Sequence, residues 1–205
     1  MALGYRSETR LLAVHANGGW SIIEPGQGQL LLRSAGNPNR QVTAADVLSD
    51  GRTVAAALAD GATPFVIEGW QPANGGVTST TVTLKGHTDW VYAVAVSPDT
   101  NTAVSSSADG SVRLWNWGNG QETRKLTGSE RHVRSVAFSP DNTLVAGGTD
   151  GGRILIWRVG TGDVVQTITG PPSPVRSVAF DPAGKTLTTS SEDGQLRQWS
   201  VTTKP

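Results

Sequence analysis

Apolar residues recur along the chain at a spacing of three and then two. The pattern is Val42, Ala45, Val47; Val91, Val94, Val96; Val133, Val136, Phe138; and Val175, Val178, Phe180. Strict strand alternation would give two and two, so each run reads as a strand carrying one extra residue, a β-bulge. A Ser-Pro-Asp turn follows at 139–141, then a strand from Thr143 to Gly148, an Asp-Gly turn, and a third strand ending in Trp157. A Gly-Thr-Gly turn at 160–162 introduces a fourth strand, Val164 to Ile168. Four short strands joined by tight turns predict a small antiparallel meander. Val91, Val133 and Val175 are 42 residues apart, as are Trp115, Trp157 and Trp199. One such sheet cannot bury both faces alone, so the sheets must stack, and radial stacking is the β-propeller solution.

The segment GHTDWVYAVAVSPDTNTAVSSSADGSVRLW carries Gly86-His87 at its head, Asp109 in its turn and Trp115 at its close. It resembles a full unit of the WD-repeat (beta-transducin-like) β-propeller family, and the resemblance is specific over residues 86–205. Upstream it weakens: in residues 42–67 Val66 stands at the tryptophan position, and in residues 3–23 Ile23 does. The expectation is an all-β chain, one propeller domain over 1–205, of about five four-stranded blades. Their bounds are 1–36 and 37–85, both degenerate, then 86–128, 129–170 and 171–205, the last lacking its outer strand. Such propellers usually have seven blades. The chain is therefore read foremost as a fragment of a longer protein, with a small five-bladed ring or completion by a second chain as alternatives. An open arc would expose strand edges and apolar blade faces. About seven extra residues between Val42 and Val91 are assigned to an outer loop near Gln71–Gly76.

What the resemblance implies is a structural hydrogen-bond chain of His87, Ser105 or Ser107, Asp109 and Trp115. A Ser-His-Asp catalytic set is the competing reading of the same residues, but they occupy the family's structural positions. Ser129 and Pro171 stand where His87 sits, leaving one complete chain. The resemblance further implies that residues flanking each bulge point to the central-channel face where partners bind. These are Trp90, Tyr92, His132, Arg134, Pro174 and Arg176, with Gln41 and Thr43 from the second blade. Ala108 and Glu192, each just before a turn Asp, join them. Trp, Tyr and Arg are the side chains enriched at binding hot spots.

Composition narrows the partners. With 17 basic and 17 acidic side chains the net charge is zero, so no field favours nucleic acid or an anionic membrane. There is no cysteine, hence no disulfide or thiolate site. The charged N-terminal stretch MALGYRSETRLLAV does not read as a signal peptide, which predicts a cytoplasmic protein. Ala183–Thr186 and Pro25–Gly28 read as turns rather than phosphate loops, and His15, His87 and His132 lie in separate units, so no metal or cofactor is expected. The sequence thus predicts a non-catalytic scaffold for a protein or peptide, with self-association as an alternative way to complete the ring. The alternatives are a sensor module of a larger bacterial signalling protein and, less favoured, a propeller hydrolase. For the last, the lone strand-one carboxylate, Asp46, has no matched partner.

Overall fold

Val, Ile and Thr runs punctuated by glycine turns form nineteen strands in the computed structural model. It describes the backbone of residues 2–7, 10–14, 20–24, 29–33, 40–47, 54–60, 63–72 and 78–202, and the side chains of 43–46, 65–69 and 82–202. His15 and Pro25–Gly28 lie outside the described residues. The first sheet holds β1 (Ala2–Ser7), β2 (Arg10–Val14), β3 (Trp20–Glu24) and β4 (Gln29–Arg33). The second holds β5 (Arg40–Val47), β6 (Val54–Asp60), β7 (Thr63–Pro72) and β8 (Thr78–Leu84). The third holds β9 (Val91–Val96), β10 (Thr102–Ser107), β11 (Val112–Asn116) and β12 (Glu122–Leu126). The fourth holds β13 (Val133–Phe138), β14 (Leu144–Thr149), β15 (Arg153–Arg158) and β16 (Val164–Thr169). The fifth holds β17 (Val175–Phe180), β18 (Thr186–Ser191) and β19 (Leu196–Ser200). Every sheet is an antiparallel meander in chain order, and successive first strands pack side by side from β1 to β17.

Sheet faces, which alternate with each residue, supply the cores. Trp115 is fully buried with Ile67 and Leu84 of the second sheet, while Leu114 points the other way, to Val133 and Trp157 of the fourth. Ile154 and Ile156 repeat the arrangement one sheet on, against Val175 and Leu187. Removing an aliphatic side chain of this size from water contributes roughly 1.5–3 kcal/mol, so neighbouring sheets stabilise one another rather than themselves.

The bulges lie where the spacing predicts them. Thr43, Tyr92, Arg134 and Arg176 are each the unpaired extra residue of a first strand. A second bulge marks the tryptophan itself, between Leu114 and Trp115 and between Ile156 and Trp157. In the second sheet that bulge falls between Gly69 and Trp70, and Trp70 pairs with Val54, which pairs with Val47. Trp115 pairs with Ala103 and Ala103 with Val96 in the same way. The tryptophan position of the second unit is therefore held by Trp70 and not by Val66. Counting forward from Asp60 misplaced it because the β6–β7 hairpin is longer. Val42 to Trp70 spans 28 residues where Val91 to Trp115 spans 24. Four of the seven extra residues thus lengthen this hairpin, and only the remainder lies beyond Trp70, which corrects their assignment to the outer loop. Ile23 does occupy the position in the first sheet, paired with Leu11 beside a bulge.

Candidate functional site

The loop Gly86–Trp90 enters the third sheet, and a chain of buried polar groups fixes it. Trp115 Nε1 donates to Ser105 Oγ at 2.8 Å, and His87 Nε2 lies 2.7 Å from the same oxygen. His87 Nδ1 lies 2.8 Å from Asp109 Oδ2. One proton arrangement satisfies all three contacts: Nδ1–H donates to the carboxylate, and the serine hydroxyl donates to Nε2 while accepting from the indole. Asp109 also accepts from the backbone N–H of Thr88 and Ser111 and from the Ser111 hydroxyl. Ser107 stands outside this chain, donating to the carbonyl of Asp89 at 2.9 Å. Trp199 has a shorter version, donating to Thr189 Oγ1 at 2.9 Å, and Trp157 donates to the carbonyl of Thr127 at 2.7 Å.

Burial holds the His87 imidazole below its ordinary pKa, against the pull of Asp109. Burial also opposes ionisation of Asp109, but hydrogen bonds from Ser111 and His87 outweigh it and hold the carboxyl well below the usual carboxylate range. Both groups therefore bind protons more readily in the unfolded chain. Their contributions are present above the unfolded values, 6.5 and 3.8, and are lost as pH falls. We expect the unfolding midpoint to drop between pH 7.5 and pH 5, and His87→Gln to flatten that slope. An unchanged slope in the variant would place the titration elsewhere.

The bulges carry the second feature. The Arg134 guanidinium lies 3.9 Å from the centre of the Tyr92 ring, joining the bulges of β9 and β13. Arg134 also grips Asp150 with both arms, at 2.6 and 3.0 Å, and His132 approaches the same carboxylate at 3.6 Å. The salt bridge to Asp150 raises the Arg134 pKa, and Arg134 in turn lowers that of Asp150. Arg176 pairs with Glu192 in the same geometry one sheet on. Trp90 stands apart from these groups: 43% exposed, it meets Phe65 at 5.8 Å between ring centres. The face is thus a Tyr92–Arg134–His132 cluster, an Arg176–Glu192 pair and a Trp90–Phe65 pair. Its arginines already have carboxylate partners.

Two of these residues escaped sequence reasoning. Asp150 lies 42 residues from both Ala108 and Glu192, so the period alone identifies it. It was passed over because it resembles the turn Asp, whose true position in that unit is Gly151. Phe65 reaches Trp90 from the lengthened β6–β7 hairpin, which the assignment of the extra residues to another loop concealed. Asp46 is engaged elsewhere, its Oδ2 accepting the N–H of Val96 at 2.9 Å and so tying β5 to β9. Among the described residues no three His, Asp or Glu side chains are set to hold a metal ion.

A family model described as WD domain, G-beta repeat matches residues 78–116, 120–158 and 162–200. Each match starts near the outer strand of one sheet, at β8, β12 or β16, and closes at the third strand of the next. Every repeat therefore straddles two sheets. No curated protein matches the chain.

Proposed function

The chain belongs to the WD domain, G-beta repeat family, whose repeats commonly act as protein–protein interaction scaffolds, and from that premise we propose that it binds a protein or peptide on the face carrying the bulge residues. The observation behind this reading is the continuity of Tyr92, Arg134, His132 and Asp150 across two sheets at their bulges. Such a patch fixes aromatic and guanidinium groups in place, and rigid side chains lose little freedom on binding. Trp90 adds an exposed aromatic anchor from the same edge. Family repeats of this kind are generally non-catalytic. The use of Asp46 and of His87, Ser105 and Asp109 in fixed structural bonds supports that reading here.

The test is the double variant Trp90→Ala and Arg134→Ala, compared with the parent by affinity capture and mass spectrometry. A partner retained by the parent is expected to be lost from the variant. The unfolding free energy is expected to fall by no more than about 1 kcal/mol, since the Arg134–Asp150 pair is partly solvated. Equal capture by both proteins would place the binding surface elsewhere, and loss of cooperative unfolding would make these residues structural.

A further inference from the structure

The fifth sheet has two unlike faces. Leu187, Thr189 and Ser191 are buried toward the fourth sheet, while the alternate residues of β18 and β19 look away from it. The repeat allows each outward position to be compared with its counterparts. At one position the third and fourth sheets have Val104 and Ala146, and the fifth has Thr188. At another they have Leu114 and Ile156, and the fifth has Gln198. All four apolar counterparts are buried to within 1% exposure beneath the next sheet. Of the large aliphatic residues at these outward positions only Leu196 persists, at the place of Val112 and Ile154, and it is 75% exposed.

We propose that this outward face is a polar end cap: a surface suited to water that does not accept an apolar sheet. Stacking a sheet on it would bury the Thr188 hydroxyl and the Gln198 amide. Each costs free energy unless it finds a partner, whereas Val104 and Leu114 lose nothing on burial. Stacked repeat arrays need such polar outer faces at their ends to stay soluble. The identities of residues 188 and 198, and not the position of Pro205, mark the face. A further strand pairing along the edge of β19 would leave it equally polar. It follows that an exposed apolar blade face, the hazard expected of an open arc, is not what this sheet presents.

The test is mass in solution by light scattering at matched concentrations of the 205-residue chain and two double variants. Thr188→Val with Gln198→Leu restores the apolar pattern of the other sheets and is expected to raise the mean mass above that of the parent. Thr188→Lys with Gln198→Lys is expected to match the parent. Circular dichroism confirms folding, and Gln198→Leu alone serves if the first pair misfolds. An apolar variant with the parent's mass would overturn the proposal, as would a lysine variant with a lower mass, since that would make the face an interface.

Discussion

Gly152→Ala is expected to destabilise the protein by roughly 2–5 kcal/mol, combining overpacking with a left-handed backbone. Gly152 sits in the β14–β15 turn at φ +78°, and a methyl group there would lie 1.6 Å from the carbonyl oxygen of Pro171. That oxygen is held, because it accepts the N–H of Ser173, and the Gly152 carbonyl accepts the N–H of Gly170. The clash must therefore displace the segment Gly170–Pro174, which delivers Arg176 to its bulge. Gly110 occupies the matching turn of the third sheet at φ +82°, with nothing within 4 Å of an added methyl. Gly110→Ala is accordingly expected to cost only the backbone part, about 1–2 kcal/mol. Urea denaturation of both variants reads the difference directly. Equal midpoints would show that the Pro171 segment yields freely. Against a typical total of about 5–15 kcal/mol, the larger loss would leave a measurable unfolded fraction.

That contrast shows what a repeat makes legible and what it hides. The three-then-two spacing located the bulges at Tyr92, Arg134 and Arg176 because burial enforces it in each first strand. Period alone could not tell Gly152 from Gly110, since their difference lies in the approach of another loop. Trp70 was hidden by hairpin length. Backbone pairing sets its register, and a hairpin that grows by four residues keeps its pairing while moving every residue relative to a count from the turn. Gly147 presents a third case. It stands where Ser105 and Thr189 supply a hydroxyl to their tryptophans, which suggests a degraded site. Yet an added Cβ would lie 2.7 Å from the Trp157 ring, and the indole N–H is already taken by the Thr127 carbonyl. Close packing and a backbone acceptor have replaced the side-chain bond there.

The arginines were legible as residues but not as charges. Sequence reading treated Arg134 and Arg176 as available cations, whereas each is neutralised by an acid sixteen residues on, Asp150 or Glu192. The spacing reflects the strand pairing, which sets a first-strand bulge beside the end of the second strand. In the third sheet Tyr92 and Ala108 take these two places, leaving a ring over which Arg134 can lie. Selectivity on this face thus comes from fixed, oriented groups more than from net charge.

Ser105→Ala is expected to cost roughly 2–4 kcal/mol, because two buried groups lose their partner for the removal of one oxygen. Ser105 is fully buried, and its hydroxyl serves both Trp115 Nε1 and His87 Nε2. Its neighbour provides the control. Ser106 is as deeply buried, but its hydroxyl makes no hydrogen bond, so Ser106→Ala removes an unsatisfied polar atom and is expected to be neutral within about 1 kcal/mol, or stabilising. Comparable losses in the two variants would mean that cavity formation dominates and that the chain adds little. The effect should extend beyond stability. His87 holds Asp109, Asp109 accepts the N–H of Thr88, and the N–H of Ala108 donates to the carbonyl of Trp90 at 2.7 Å. Loosening the chain therefore frees the loop that presents Trp90, and Ser105→Ala is expected to weaken partner capture at a temperature where the protein remains folded. Full capture under those conditions would show that the Trp90 loop is held without it.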